Sequence, residues 1–276
     1  MKIVVTGKGG VGKSTIVSLL AHSFIKKGYK VLALDEDPQM NLAYSLGLSV
    51  DKIKDITPLN CSYDYIEEKT GAKPGSSWGA FFKLNPDVSD VIDRFGIKIN
   101  DKLGLLVMGT VKKAAAGCLC PENLLLDRVM NKLALMEGET IIMDTQAGVE
   151  HFGRAIAKGF DHCIIVADPT FNAISVAQYT AGLARQLDIP NVYLLINKLT
   201  EKHHDKVYKI SKELCLNIDT AFDEQVIIPY FEEIYYDEPD ISKLLEINSK
   251  LNNSISLLTE KILDRDATSK FEGRKL

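Results

Sequence analysis

The octet Gly7-Lys8-Gly9-Gly10-Val11-Gly12-Lys13-Ser14 constrains this chain more than any other stretch. It fits the spacing G-x-x-x-x-G-K-[ST]. It follows the apolar run Ile3-Val4-Val5 and opens onto Ile16, Leu19, Leu20 and Phe24 at helical spacing. A strand that turns through glycines into a helix lets backbone N–H groups curl around phosphate oxygens. The helix N-terminus adds a favourable dipole. In this reading Gly9, Gly10, Val11 and Gly12 supply the cradle, Lys13 contacts the outer phosphates, and the Ser14 hydroxyl ligates Mg²⁺.

The rest of the chain repeats the strand-and-helix theme. Residues Ile3 to Val5, Val31 to Leu34, Leu105 to Met108, Thr140 to Met143, Cys163 to Ala167 and Val192 to Ile196 are continuous aliphatic runs. Runs of that kind are strands covered on both faces. Helical patterns lie between several of them, including Ile174 to Leu187 and a stretch opened by Pro121 that runs to about Leu135. The fold class is α/β: a mostly parallel twisted sheet with helices on both faces, the three-layer arrangement. Residues 1–276 read as a single phosphate-loop domain, with an irregular insertion at about 49–100 on one sheet edge and a frayed polar tail from about 264. Leu251, Ile255, Leu258 and Ile262 form one stripe at helical spacing, flanked by Asn, Ser and Thr rather than a basic face, which predicts core packing.

Composition excludes several classes. Lys and Arg number 33 against 37 Asp and Glu, a net charge of −4, which argues against a nucleic-acid binder. No apolar run approaches the roughly 18 residues of a membrane span. Five cysteines, an odd number in a chain long enough to bury a core, fit a reducing cytoplasmic compartment.

Two acidic strand ends complete the phosphate site. Thr140-Ile141-Ile142-Met143-Asp144 ends in the carboxylate expected to hold a Mg²⁺-bound water, and Gly148 suits a loop that moves when the terminal phosphate leaves. Asp35-Glu36-Asp37-Pro38 closes the second strand, with Asp37 placed to orient the attacking water.

The run Lys8-Gly9-Gly10-Val11-Gly12-Lys13-Ser14-Thr15 resembles the deviant Walker A loop of the MinD/ParA/nitrogenase-iron-protein class. Asp35 to Pro38 looks like its first switch and Asp144 to Gly148 like its second. Asn197-Lys198 is similar to its adenine-contacting segment, and Ile228-Pro229-Tyr230 to a further base-site turn. The resemblance covers roughly 1–48 and 103–240. It implies an ATPase that hydrolyses ATP to ADP with Mg²⁺, with Thr15, Asn197 and Pro229 in the nucleotide site. It also implies an ATP-dependent homodimer in which Lys8 reaches the partner's phosphates.

Gly117-Cys118-Leu119-Cys120-Pro121-Glu122-Asn123 is the second informative site. A C-x-C pair supplies two thiolates, and a two-fold dimer doubles them to four, enough for a closed metal site. A redox pair and plain packing are the other readings of the spacing. Together with Gly148-Val149-Glu150-His151-Phe152-Gly153-Arg154, the run resembles the CooC-type nickel-insertion ATPases that serve carbon monoxide dehydrogenase. That resemblance implies Ni²⁺, with Zn²⁺ possible in its place, on Cys118 and Cys120 of both subunits, and a client metalloenzyme. The alternatives are a MinD/ParA-like spatial-organisation ATPase, without the metal, and a nitrogenase-iron-protein-like reductase with an interface [4Fe–4S] cluster. Cys163, inside an apolar strand, reads as a core residue.

Overall fold

A computed structural model of the chain describes residues 1–72, 83, 86–109, 120–133, 135–148, 152, 157–237, 240–241 and 243–273. Its strands are β1 (Lys2–Gly7), β2 (Lys30–Asp35), β3 (Ile97–Lys98), β4 (Leu103–Val107), β5 (Glu139–Asp144), β6 (His162–Ala167), β7 (Asn191–Leu199) and β8 (Glu224–Pro229). They form one sheet in the order β3-β4-β2-β5-β1-β6-β7-β8. Each neighbouring pair is parallel except β3 with β4. The helices used below are α1 (Lys13–Lys26), α2 (Asn41–Ser45), α3 (Cys120–Lys132), α4 (Phe171–Gln186), α5 (His204–Glu213), α6 (Glu232–Asp237) and α7 (Ser249–Gly273).

All six aliphatic runs are strands, and the reason is burial on both faces. Every residue of β6 is buried, as are the last five of β1 and of β5. Ile3, Val4 and Val5 lose water on both sides of the sheet, which favours consecutive β-branched side chains over alternation. Cys163 is buried among them, and burial pushes its thiol up, so it is a small inert core residue.

The chain runs from β1 outward through β2 and β4, then returns to lay β5 beside β1 and continues to β6, β7 and β8. Ligands of open α/β sheets bind where the strand order reverses, at the carboxyl ends of the strands. Here those ends are Gly7, Asp35, Asp144 and Leu199.

Several boundaries differ from the sequence expectation. Strand β8 alternates buried Val226 and Ile228 with Gln225, Ile227 and Pro229, which are exposed, so its short aliphatic trio is buried on one face only. The helix after the cysteine pair begins at Cys120 itself rather than at Pro121. Fraying was expected from residue 264, yet α7 continues through Gly273. Arg265 holds it, donating to the Asp223 carbonyl oxygen and to Glu224, and Asp266 is buried. The stripe Leu251, Ile255, Leu258 and Ile262 is fully buried, and Thr259 of the same helix donates to Ser23 of α1. The loop predicted at Lys73 to Gly79 lies outside the described residues.

Candidate functional site

The phosphate loop connects β1 to α1, and its conformation depends on glycine. Gly7 has φ +143°, and a Cβ there would collide with the Val166 carbonyl oxygen of β6. Gly12 has φ +98° and stands at the helix N-cap, where a Cβ would come within 2.6 Å of Asn197 Nδ2. No side chain caps α1. Its first amides therefore stay available for an anion.

The far wall of the loop is a strained bulge. The β7–β8 register shifts between Ile196 and Leu199, and Lys198 takes φ +59°, an unusual conformation for a lysine. The bulge sends two side chains to the loop's carbonyls. Asn197 Nδ2 donates to the Val11 oxygen at 2.8 Å, and Lys198 Nζ to the Gly10 oxygen at 2.9 Å.

Lys13 is buried, with Nζ donating to the Lys8 carbonyl oxygen at 3.3 Å. Burial pushes its ammonium down, while Asp144 and Asp37 pull it back up. Lys8 has an exposed side chain and does not line the cleft.

The acidic floor is built by strand register. Asp35 at the end of β2 pairs with Asp144 at the end of β5, and both are fully buried. Burial pushes the Asp144 carboxyl up to about 7, with Ser14 and Lys13 drawing it down and Asp37 adding to the rise. Burial also pushes Asp35 well up, and the Asp144 charge adds to it. Neither oxygen of Asp144 completes a regular hydrogen bond among the described residues. Asp37 is half-buried; its backbone N–H donates to Asp35 at 2.9 Å, and its carboxylate accepts from the Gln39 N–H.

The donors present suit Mg²⁺. Ser14 and Asp144 offer hard oxygens, and the buried Asp144 oxygens lack other partners of regular geometry. Among the described residues no group of three or more His, Cys, Asp or Glu is arranged to hold a metal by itself. That fits an ion which takes much of its shell from water and substrate phosphates.

These parts face one cleft of about 730 Å³. Gly9, Gly10, Gly12, Lys13, Ser14, Thr15, Asp37, Asn197 and Pro229, all expected from sequence, line it together. Val11 lies buried behind the loop and Asp144 beneath it. Sequence reading missed Tyr44 of α2, and Phe231, Ile234 and Tyr235 beyond Pro229, which also line the cleft. The last three form an i, i+3, i+4 face just after Pro229-Tyr230, the signal that was available. Cys118 and the side chain of Cys120 lie outside the described residues, as does His151.

The CobQ/CobB/MinD/ParA nucleotide-binding domain matches residues 2–266. The chain belongs to that family. It is a nucleotide-binding ATPase of the MinD/ParA class. An uncharacterized ATP-binding protein of Methanocaldococcus jannaschii is 38% identical over 263 residues, covering 95% of this chain and 98% of the relative. The carbon monoxide dehydrogenase accessory protein CooC of Rhodospirillum rubrum is 39% identical over 199 residues, 72% of this chain and 74% of that protein. Among solved structures, the septum site-determining protein MinD of Pyrococcus horikoshii, complexed with Mg-ADP, superposes with a TM-score of 0.62. Its identity is 19%, with 95% of each chain covered, so the likeness is one of fold. Among the described residues of this family member no helix is long and apolar enough to cross a membrane.

Proposed function

We propose that this chain is an ATP-driven homodimeric metal carrier, holding Ni²⁺ on Cys118 and Cys120 of two copies and delivering it to a metalloenzyme of the carbon monoxide dehydrogenase kind. The observation that carries the reading is the 39% identity with the CooC accessory protein across 72% of the chain. The C-x-C run whose second cysteine opens α3 supports it, because four thiolates from two copies close a site that two leave open. Zn²⁺ would take the same donors as a tetrahedron, and Ni²⁺ a square plane. Such thiols must stay reduced, as they do in cytoplasm.

The nucleotide acts as the adhesive between copies. Lys13 and the loop amides bind the triphosphate of their own subunit. Lys8, exposed and outside its own cleft, is free to reach phosphates bound by the partner. Two triphosphates face to face repel until such cations lie between them. Mg²⁺, held through Ser14 and Asp144, would supply charge neutralisation at the phosphates. Asp37 orients the attacking water from the rim of the cleft. Hydrolysis removes the phosphate that Lys8 of the other copy grips, and the dimer rearranges.

The deciding experiment is an anaerobic Ni²⁺ titration of the reduced protein, with Cys118→Ser/Cys120→Ser as control. The reading expects one tight Ni²⁺ per dimer, lost in the control. Binding that ignores the cysteines would leave an ATPase switch with a different cargo.

A further inference from the structure

Helices cover both faces of each strand in a three-layer α/β/α fold. Strand β8 departs from this. It packs against α7, and Val226 and Ile228 are buried, but Gln225, Ile227 and Pro229 on the opposite face are exposed, Ile227 by 40%. Two clefts meet on that bare face. One, of about 480 Å³, includes Tyr208 and Lys212 of α5. The other, of about 810 Å³, includes Glu232, Glu233 and Tyr236 of α6. Both contain Leu199 and Ile227, so they form one groove with Ile227 at its middle.

The groove has the make-up of an interface. Tyr208 and Tyr236 are each 73% exposed on its flanks, and aromatic side chains presented this way are enriched at docking surfaces. Its charged lining is four carboxylates, Glu201, Asp219, Glu232 and Glu233, against two ammoniums. None of the four is in an ion pair among the described residues. The occupant that satisfies this surface carries positive charge. A second copy, at a net charge of −4, is repelled as a whole.

We propose that this groove docks an amphipathic helix of a partner protein, with aliphatic side chains against Ile227 and Arg or Lys along the rim. The helix takes the place in the outer layer that the described residues leave open over β8. It lies beside the nucleotide, because Pro229, Tyr230 and Phe231 line both the groove and the nucleotide cleft. The inference is independent of the metal cargo, since it uses the sheet and its lining alone.

The test uses the full chain and a fluorescein-labelled peptide of about sixteen residues, long enough for about four helical turns. The peptide has leucines on one face and Arg and Lys elsewhere. A second peptide has glutamate at every cationic position. The variants are Ile227→Glu and the pair Glu232→Lys/Glu233→Lys, all at exposed positions outside the nucleotide cleft. ADP binding and circular dichroism check that each variant is folded. The basic peptide should bind wild type saturably, one per chain, and the acidic peptide should not. Each variant should weaken the basic peptide about tenfold. Equal binding by wild type and both variants overturns the proposal. So does a nucleotide-independent dimer, seen by sedimentation, that Ile227→Glu dissolves, because the occupant would then be a second copy.

Discussion

Asp35 and Asp144 are register partners on adjacent parallel strands, both fully buried at the floor of the nucleotide cleft. Two carboxyls so placed cannot both ionise cheaply. This sets the response of the nucleotide-free protein to pH. The Asp144 carboxyl is raised to about 7, so the folded form keeps a proton that the unfolded chain releases near pH 4. The contribution of Asp144 to stability is therefore greatest at low pH and is lost as pH rises toward about 7, by up to a few kcal/mol. Thermal unfolding of wild type and Asp144→Asn should show the variant more stable above about pH 7.5 and nearly equal to wild type at about pH 4. Parallel pH curves for the two proteins would remove Asp144 as the source.

The same carboxyl gives Mg²⁺ binding a proton linkage of the opposite sense. The ionised form attracts the ion, so the Mg²⁺-dependent gain in ATP affinity should be about tenfold weaker at about pH 6 than at about pH 8. Calorimetry in buffers of differing ionisation enthalpy should detect proton release from wild type. Asp144→Asn should release none.

The roles proposed for Lys8 and Lys13 separate binding from pairing. Lys13 is buried against the loop, and Lys8 is exposed outside the cleft. Lys13→Ala should abolish ATP binding and with it nucleotide-dependent dimerisation. Lys8→Ala should hold ATP within about threefold of wild type, under about 0.7 kcal/mol, and stay monomeric. Light scattering with a non-hydrolysable analogue reads this difference directly. A Lys8→Ala protein that still dimerises would leave this lysine without a role in trans.

Asp37→Ala should bind ATP yet accumulate as an ATP-loaded dimer, since the water loses its orienting carboxylate. Single-turnover hydrolysis at the wild-type rate would exclude Asp37 from the reaction.

Gly12→Ala tests the loop geometry. Its positive φ and the 2.6 Å approach to Asn197 Nδ2 predict a loss of about 1–3 kcal/mol and displacement of the Asn197 clamp. Weakened nucleotide binding with an intact far-ultraviolet spectrum is the expected outcome.

The sequence made the sheet centre legible because its strands are buried on both faces and so carry uninterrupted aliphatic runs. Strand β8 escaped because its aliphatic trio Val226-Ile227-Ile228 is short and flanked by Glu224, Gln225 and Pro229, and only Val226 and Ile228 are buried. The phosphate loop was legible because its chemistry is local to eight consecutive residues. The wall beyond Pro229 was not, since Phe231, Ile234 and Tyr235 join it only when the chain returns to the sheet more than 200 residues later. Asp35 could be placed at a strand end from sequence, but its pairing with Asp144 depends on register across two strands that are far apart in the chain.

The end of β4 adds a mechanical consequence. Met108 N and Gly109 N both donate to the Asp35 carbonyl oxygen, at 2.8 and 3.3 Å, and Asn60 N donates to the Met108 oxygen. Asp37, on the cleft rim, is tethered to Asp35 through its own N–H. Asp35 is thus a rivet with two heads: its carbonyl oxygen holds the end of β4, and its carboxylate holds Asp37. Any shift of Asp35 beyond the slack of a hydrogen bond, a few tenths of an ångström, must either drag Met108 and Gly109 with it or shear the rivet.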